Sequence, residues 1–405
     1  AQWETPEGPQ LITKAINGVP VAARFPHPFD WFSPENGQKA YEMMSCYIGL
    51  LELYKVTHNA AYLDAVQKTV NDIANTEINV AGSGSAFESW YSGRKYQTSP
   101  TYHTMETCVT FTWMQLCDKL LALTGNPFYA DQIEKSLYNA LMAALKDDAS
   151  QIAKYSPMEG HRCEGEEQCG MHINCCNANG PRAFALIPDF AVKKMGNEVY
   201  VNYYGDMSAS LENGHNKVLV KQHTTYPVSN VIDITIDVTK ENVFGLHLRV
   251  PVWSAQTVIT LNGEELKDIC PGTYHAITRK WKKGDHIQII LDMPARLLEQ
   301  NQMQAIVRGP IVLARDSRFN DGFVDETLVV DSEDGIVKAE VDSVPGFAWM
   351  RLKVPVTVGT DLEGVGMYRN ISFCDFASAG NTWDKQVRYR VWIPRTLDVK
   401  KGHLK

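Results

Sequence analysis

An internal repeat in the first half of the chain limits the folds that are open to it. Residues 53–68 and 120–135 carry Thr, Asn, Tyr, Asp and Lys at matching positions, 67 residues apart. Each segment joins two apolar patterns with helical spacing, which cover residues 40–57 and about 62–73 in the first copy and 106–124 and 128–146 in the second. A helical hairpin that recurs at a fixed period is typical of a stack or a ring of hairpins.

The hydrophobic period changes to two after about residue 195. Short runs of Val, Ile, Leu and Tyr predict strands at residues 199–204, 231–238, 246–250 and 287–291. Asn262-Gly263 and Lys283-Gly284-Asp285 predict hairpin turns between strands. We therefore predict a helical toroid domain over residues 1–192, a β-sandwich over 193–305, and a second β-sandwich or jelly-roll-like domain over 306–405. The strands are expected to brace the helical domain or complete its groove, without carrying chemistry.

The overall charge limits the partners. At 405 residues the chain has a net charge of −8, whereas nucleic acids and anionic membrane surfaces require a basic face. No apolar run reaches the roughly 20 residues of a membrane-spanning helix. No signal peptide is visible, and Ala1-Gln-Trp-Glu4 is typical of a mature or internal start. The sequence indicates neither the oligomeric state nor the compartment, and the periplasm and the cytoplasm are both compatible with it.

Cysteine spacing points to a metal site. Six of the nine cysteines lie between residues 108 and 176. Glu106 and Cys108 are two positions apart, so they face different sides of a helix and can share one metal only at a helix start or in a loop. Cys175 and Cys176 are adjacent, among asparagines that precede a helix expected to begin near Pro181. Thiolates with a carboxylate are a zinc ligand set, and an activated thiolate is also a nucleophile.

Each of these residues also has a structural interpretation. Glu106 would favour a first helical turn through the helix dipole, and Cys108 would be a core residue. A redox pair at Cys175-Cys176 is a further alternative. Cys163 and Cys169 flank a polar loop and would form a small disulfide or bind a second metal.

A loop rich in glycine and serine carries one further candidate. Residues 81–90 read Ala-Gly-Ser-Gly-Ser-Ala-Phe-Glu-Ser-Trp, with a single carboxylate, Glu88, between aromatic residues. Loops that follow the helices of a repeat tend to line the functional end of the assembly. Glu88 is therefore either a solvated side chain or, beside the cysteines, a general acid and base.

Taken together, the motifs resemble those of the bacterial β-L-arabinofuranosidases of glycoside hydrolase family 127 and its sibling family 146. The matching segments span almost the whole chain: Gly84–Glu88, Glu106-Thr-Cys108, Tyr155–Glu159, Cys175-Cys176-x-x-Asn179-x-x-Arg182, Leu246–Trp253, Asn262-Gly263, Trp281–Asp285, Arg308-Gly-Pro310 and Val391–Pro394. The resemblance implies that Glu106, Cys108, Cys175 and Cys176 bind one zinc ion. It further implies that Cys175 is the nucleophile, Glu88 the acid/base and Tyr155 a sugar contact.

The resemblance also implies a fold and a reaction. The family has a closed (α/α)6 barrel followed by β-sandwich domains, and about three of its six hairpins fit here, so we expect the chain to begin near the middle of that barrel. The expected function is retaining glycoside hydrolysis that releases L-arabinofuranose from plant-type glycans. The alternatives are a zinc-stabilised carbohydrate-binding module or pseudoenzyme without activity, and a related glycosidase for another sugar.

Overall fold

The chain folds into a helical region followed by sheets. The computed structural model describes residues 4–6, 8–24, 39–99, 102–167, 170–213, 216–342, 346–360, 366–395, 397–398 and 403–404. The helices are α1 (Leu11–Ile16), α2 (Ala40–Thr57), α3 (Ala60–Thr76), α4 (Gly93–Tyr96), α5 (Thr107–Thr124), α6 (Pro127–Ser136) and α7 (Cys176–Ala191). A π-helical turn, Leu137–Leu141, continues α6. Short 3-10 turns occur at Val21–Ala23 and Ser317–Phe319.

Helix α5 is the centre of the helical region. It packs against α2, α6 and α7, and α3 packs against α1 and α2. Its side chains are buried on nearly every face, including Trp113, Met114 and Leu116, as expected for a helix enclosed by others. Within the described ranges, none of the helices combines the length and apolar character needed to cross a bilayer.

The predicted repeat is confirmed at the level of individual hydrogen bonds. Asn59 caps α3 by accepting a bond from the Ala61 N–H at 3.1 Å, and Asn126 caps α6 through the Phe128 N–H at 3.0 Å. Thr57 and Thr124 bond in the same way to carbonyls four residues before them. The two hairpins therefore have the same turn chemistry, which is favourable at a helix start.

The strands follow in chain order. They are β1 (Glu159–Gly160), β2 (Val192–Met195), β3 (Glu198–Val201), β4 (Met207–Asn213), β5 (Asn216–His223), β6 (Val231–Val238), β7 (Asn242–Val250), β8 (Val258–Leu261), β9 (Glu264–Glu265), β10 (Thr273–Trp281), β11 (Asp285–Ile290), β12 (Ala295–Gln300), β13 (Met303–Arg308), β14 (Ile311–Asp316), β15 (Val329–Val330), β16 (Ser332–Glu333), β17 (Ile336–Val337), β18 (Glu340–Asp342), β19 (Arg351–Thr360), β20 (Gly366–Asp375), β21 (Tyr389–Arg390), β22 (Ile393–Pro394), β23 (Leu397–Asp398) and β24 (His403–Leu404). Nearly all the pairings are antiparallel, and the pairing of β3 with β7 is parallel.

Two sheets in the middle of the chain share one apolar core. Their strand orders are β10-β7-β3-β2 and β4-β5-β6-β11-β8-β9, and the buried faces of both sheets belong to the same cluster of side chains. Asn262-Gly263 forms the predicted hairpin, with positive φ at both residues between β8 and β9. The hairpin predicted at Lys283–Asp285 is wrong. Gly284 does turn the chain, but β10 and β11 belong to different sheets, so the turn connects one sheet to the other.

The third sheet is built from the C-terminal part of the chain and returns to the helical region. Its main path is β15-β19-β20-β14-β13-β12-β17-β16. Strand β21 pairs with β1, so Glu159 lies opposite Arg390 and Gly160 opposite Tyr389. The domain boundaries inferred from sequence stay predictions, as does the toroid; the boundary after residue 305 falls inside β13.

Candidate active site

Glu106 and Cys108 meet at the mouth of α5, the placement that their spacing required. Glu106 is the N-cap residue, with φ −57° and ψ 133°, and Cys108 lies in the first turn. The segment is fixed from outside the helix, because the Thr107 N–H donates to the Lys154 carbonyl at 2.9 Å. Backbone pairing between Glu106 and Tyr155 extends the same contact.

Cys175 and Cys176 occupy the start of α7. The prediction that this helix begins near Pro181 is wrong, because α7 begins at Cys176, Cys175 is its N-cap residue, and Pro181 lies inside the helix. Asn174 explains the earlier start, since its Oδ1 accepts a hydrogen bond from the Cys176 N–H at 3.0 Å. Both thiols therefore lie at a helix N-terminus, where negative charge is favoured.

The two helix starts bring four candidate ligand atoms together. Cys108 Sγ lies 3.1 Å from Cys175 Sγ and 3.3 Å from Cys176 Sγ. Glu106 Oε1 lies 3.5 Å from Cys175 Sγ and 3.8 Å from Cys176 Sγ. One ligand atom from each residue lies within 4.8 Å of the others, so the group, called here the thiol cluster, could hold a metal ion.

The donors of the thiol cluster suit a cation. Glu106 is 2% exposed, and its Oε2 has no hydrogen-bond partner among the described residues. Burial raises the pKa of Glu106 well above its usual value, and the charge of Glu88 adds to the shift. Hydrogen bonds from the Cys108 and Cys176 thiols lower the pKa of Cys175. A bound cation would satisfy the orphaned oxygen and favour the ionised forms of all four groups.

A second group of residues fixes the orientation of Cys108. Asn179 Nδ2 donates to Cys108 Sγ at 3.1 Å, and Arg182 Nη1 donates to Asn179 Oδ1 at 2.8 Å. The Arg182 guanidinium lies 4.5 Å from the centre of the Phe111 ring. These supporting contacts resemble the outer shell that usually orients metal ligands.

Glu88 lies between two lysines. Its carboxylate oxygens lie 2.7 Å from Lys39 Nζ and 3.2 Å from Lys154 Nζ. Glu88 and Phe87 both have positive φ, at 70° and 47°, a strained backbone that functional loops often contain. Burial alone would raise the pKa of Glu88, but the hydrogen bonds and charges of Lys39 and Lys154 outweigh it and lower the pKa below its usual value. The charge of Lys154 also favours the Cys175 thiolate.

An open cavity of about 710 Å³ lies beside Tyr155 and His103, whose neighbours Lys154 and Phe87 contact or adjoin Glu88. Tyr155 lines it, as does His103, whose ring stacks on Phe87 at 4.5 Å and contacts the Tyr155 ring edge-on at 5.1 Å. His103 Nε2 lies 2.9 Å from a carboxylate oxygen of Glu166. Aromatic rings with a few polar groups are typical of a pocket for a small organic ligand.

Sequence reasoning missed four residues at this site. Lys39 and Lys154 contact Glu88, His103 contacts Tyr155, and Glu166 contacts His103. None of the four stands in a recognisable motif. Lys154 directly precedes Tyr155, and His103 lies just before Glu106, so proximity to a motif was the available signal.

Disulfide bonds do not explain the cysteines that the structure describes. None of the eight described cysteines is disulfide-bonded to another, and Cys163 is exposed at the wall of the cavity. Cys169 lies outside the described residues, so the disulfide or second metal considered for Cys163 and Cys169 stays a prediction.

Two family models match the chain over most of its length. The model described as the GH127 catalytic domain of β-L-arabinofuranosidase matches residues 33–189, and the GH127 middle-domain model matches residues 198–293. The first range contains Glu88 and all members of the thiol cluster. Over these two segments the chain belongs to the GH127 family.

Individual GH127 proteins are distant in sequence and similar in fold. A non-reducing end β-L-arabinofuranosidase of Bifidobacterium longum subsp. longum is 24% identical over 245 residues, which cover 54% of this chain and 36% of that protein. A solved GH127 β-arabinofuranosidase has a TM-score of 0.75 at 21% identity, covering 88% of this chain and 60% of its own. A GH127 β-L-arabinofuranosidase from Geobacillus stearothermophilus T6 gives 0.75 at 19% identity, with the same coverage. The chain thus spans between about one third and two thirds of the length of these family members.

Proposed function

We propose that this GH127 chain is a retaining glycoside hydrolase that releases L-arabinofuranose from plant-type glycans. The observation that carries the proposal is the thiol cluster, three sulfur atoms and one carboxylate at two helix starts, next to a carboxylate held by two lysines. The family match and the activities of the named relatives support the same reaction.

Cys175 and Glu88 divide the chemistry between them. Glu88 protonates the departing glycosidic oxygen while the Cys175 thiolate attacks the anomeric carbon, forming a thioglycosyl intermediate and releasing the leaving group as an alcohol. Glu88, now ionised, takes a proton from water, which attacks the same carbon and returns the sulfur as a thiolate. Two displacements retain the anomeric configuration, as in retaining enzymes that use two carboxylates. Tyr155, on the cavity wall, would contact the sugar.

Glu106, Cys108, Cys175 and Cys176 would hold one zinc ion. Such an ion, when bound, keeps coordinated thiols deprotonated near neutral pH. Lys154 contributes independently of the metal, because its positive charge favours both the Cys175 thiolate and the Glu88 carboxylate. Asn179 holds Cys108 in place, and thereby helps to fix the cluster.

The similarity in fold to solved GH127 structures supports an assignment of the helices and middle sheets to two domains. In this proposal the hairpins α2–α3 and α5–α6 are successive units of an αα-toroid, and the two middle sheets form a β-sandwich. The similarity to two GH127 structures at a TM-score of 0.75 supports both assignments.

A non-catalytic, zinc-stabilised carbohydrate-binding module is the second candidate. The observation in its favour is the number of protein ligands, because four usually make a closed structural zinc site without an open position. A sugar-shaped epoxide distinguishes the candidates. Alkylation of Cys175, located by peptide mass spectrometry, supports the enzyme, whereas a zinc-loaded chain that the epoxide leaves unmodified supports the module.

Substitution of the nucleophile is the main test. Metal content per chain and hydrolysis of 4-nitrophenyl β-L-arabinofuranoside should be measured for the unmodified chain, Cys175→Ser and Cys270→Ser. We expect Cys175→Ser to lose turnover and keep its fold, while Cys270→Ser, which replaces an exposed thiol between β9 and β10 and outside the cavity, keeps its activity. Full turnover by Cys175→Ser would remove Cys175 from this role.

Substitution of the acid tests the second step. Glu88→Gln should react with an activated aryl glycoside, whose leaving group needs little protonation, and then accumulate the glycosyl-enzyme because water is not activated. Intact-protein mass spectrometry should show a mass increase of one arabinosyl group on the chain. Unchanged steady-state kinetics would reject the assignment of Glu88.

A further inference from the structure

We propose that the C-terminal part of the chain supplies a binding subsite for the sugar ring on the leaving-group side of the scissile bond, with Trp383 as its platform. The inference rests on the proposed function and adds a residue that lies beyond both matched family segments. Trp383, Thr382 and Lys385 line the same 710 Å³ cavity as Tyr155 and His103. Residues from the two ends of the chain thus form one cleft.

Arg162 fixes the C-terminal loop to the helical region. Its side chain is buried, and its three nitrogens donate to the carbonyls of Ala379, Ala143 and Phe376 at 2.5–2.6 Å. The guanidinium also lies over the Tyr389 ring at 4.5 Å. A buried cation that bonds two carbonyls of the C-terminal loop and one carbonyl of the helical region holds the loop against the helices.

Other contacts hold the loop from its second side. The Gly380 N–H donates to Asp316 Oδ2 at 2.9 Å, and Arg318 donates to Asn381 Oδ1 at 3.0 Å. The Asp147 N–H, from the helical region, donates to the Asn381 carbonyl at 3.1 Å. The position of Trp383 is therefore determined before any ligand arrives, which lowers the entropy cost of binding.

Trp383 itself has an unusual backbone conformation. Its φ is +58°, which is unfavourable for a bulky side chain and occurs where the surrounding structure imposes it. Its side chain packs on the small apolar cluster of Ala144, Ile152 and Ala153 and is only partly buried. The indole thus has support from the protein on one part of its surface and borders the cavity with another, the arrangement of an aromatic platform for the C–H face of a sugar.

The position of the cavity assigns it to the leaving group. His103 and Tyr155 connect it to the Glu88 side of the site, since His103 stacks on Phe87 and Lys154 bridges to Glu88. Neither Cys175 nor Glu88 is among the described residues that line it. The link to Glu88 is through Lys154, whose Nζ lies over the ring of the lining residue Tyr155 at 5.1 Å. In a double displacement the acid faces the departing oxygen, so a sugar ring attached to that oxygen extends into this cavity. Tyr102, 64% exposed on the cavity wall, offers a second aromatic surface.

Two substrates with the same arabinofuranosyl group separate this subsite from the rest of the site. One is an arabinofuranosyl disaccharide, and the other is methyl β-L-arabinofuranoside, whose leaving group has no ring. Trp383→Ala should lower kcat/KM for the disaccharide by roughly tenfold, the usual cost of truncating a tryptophan anchor, and leave the methyl glycoside unchanged. Tyr102→Ala, a change on the surface, should act in the same direction to a smaller extent.

Trp349→Ala is the matched control, because Trp349 belongs to the same C-terminal part but lies outside the cavity. Equal losses on both substrates, or no loss on either, would overturn the subsite. Calorimetric titration with the disaccharide gives a readout that does not need turnover. If the chain hydrolyses neither substrate, the proposed function fails, but weaker disaccharide binding by Trp383→Ala would still support the subsite; absence of disaccharide binding would overturn it.

Discussion

Two buried sites in this chain contain carboxylates and differ in whether the protein itself supplies a cation to them. Asp131 and Glu134 share one guanidinium, since Arg249 donates to both, and Tyr226 Oη donates to Glu134 at 2.7 Å. Among the described residues, no lysine or arginine forms an ion pair with Glu106, whereas both carboxylates of the first group pair with Arg249. In each group one buried carboxylate oxygen, Glu106 Oε2 or Glu134 Oε2, has no hydrogen-bond partner among those residues. The first group, called here the arginine cluster, therefore contains its own cation, and the thiol cluster would gain one only from a bound metal ion.

Under the proposed function, this difference separates a structural brace from a reactive centre. The arginine cluster joins α6 to β7, so it holds the helical region against the middle sheets. A carboxylate whose charge is already neutralised has little affinity for metal or substrate. The thiol cluster would keep that affinity, because no lysine or arginine among the described residues pairs with Glu106.

The largest expected effect concerns the arginine cluster. Arg249→Met would leave two buried carboxylates without their cation, and the free energy of unfolding should fall by about 3–5 kcal/mol. Lys68→Met is the control, because it breaks an exposed pair with Asp64 in the first hairpin and should cost at most about 0.5 kcal/mol. Urea denaturation of both variants measures the difference. Similar decreases in the free energy of unfolding for the two variants would show that the arginine cluster stabilises the fold no more than an exposed ion pair does.

Metal removal should have the next largest effect and act only on the thiol cluster. With metal at 100 times its dissociation constant, binding stabilises the fold by about 3 kcal/mol, and excess chelator should abolish that contribution. Cys108→Ser should be insensitive to chelator, while Arg249→Met should keep the full response. A chain whose unfolding does not respond to chelator would contradict the metal centre.

Carboxylate-to-amide substitutions should sharpen the comparison further. Glu106→Gln in chelator should change the free energy of unfolding by less than about 1 kcal/mol, because burial already favours the neutral form of Glu106. Its metal affinity should fall by more than the roughly 10- to 100-fold typical of outer-shell changes. Asp131→Asn should instead cost about 1–3 kcal/mol with or without chelator, since it removes a partner of a buried arginine. Equal losses of stability for Glu106→Gln and Asp131→Asn in chelator would show that the two carboxylates do not differ in their dependence on a cation.

The smallest expected effect is on the pH dependence of activity. Lys154→Met removes a positive charge that lowers the pKa of Glu88, so that pKa should rise. Glu88 must be protonated for the first displacement, so the alkaline limb of the kcat/KM profile should move to higher pH. Lys146→Met changes another lysine of the cavity wall, one that pairs with Asp148, and should leave the limb in place. A shift to lower pH with Lys154→Met would contradict the role of Glu88 as acid.

Local features of the fold were predictable because their causes are local. Asn59 and Asn126 cap their helices through side chains two residues away from the groups they bind, so the repeat was readable from sequence. Sheet membership was not readable at Gly284, because a glycine with positive φ turns a chain in the same way within a sheet and between sheets. The start of α7 was misplaced because proline is a strong signal and the cap from Asn174 a weak one.

The burial of charged side chains was harder to predict than the helices that carry them. The repeat places Asp64 and Lys68 in the first hairpin where Asp131 and Lys135 stand in the second. The first pair is exposed, with its charged atoms 3.0 Å apart. In the second hairpin burial raises the pKa of Asp131 to about 6 and lowers that of Lys135 to about 8. For Asp131 the cause is coverage by the middle sheets, since Arg249 and the Val252 N–H both donate to it. No pattern within the repeat contains this tertiary contact.

In the candidate site, too, features with a local cause were predictable and features that depend on tertiary contacts were not. The thiol cluster was predictable, because residue types and spacing defined it. The lysines around Glu88 were not, since Lys39 precedes it by 49 residues and reaches it only in the folded chain. Trp383 was missed for the same reason, because its place in the cleft depends on how the C-terminal loop packs against the helices.

The contact between Tyr389 and Pro157 sets an order of events during synthesis. Tyr389 Oη donates to the Pro157 carbonyl at 2.6 Å across 232 residues. At translation rates of about 5–20 residues per second, roughly 10–50 s pass between the emergence of the two partners. For most of that interval Cys108, Cys175 and Cys176 have left the ribosome while the segment that follows Tyr155 still lacks its final strand partner. A nascent chain therefore presents the sulfurs of the thiol cluster before the C-terminal part has packed against the helical region, and until then the surroundings must keep these thiols reduced.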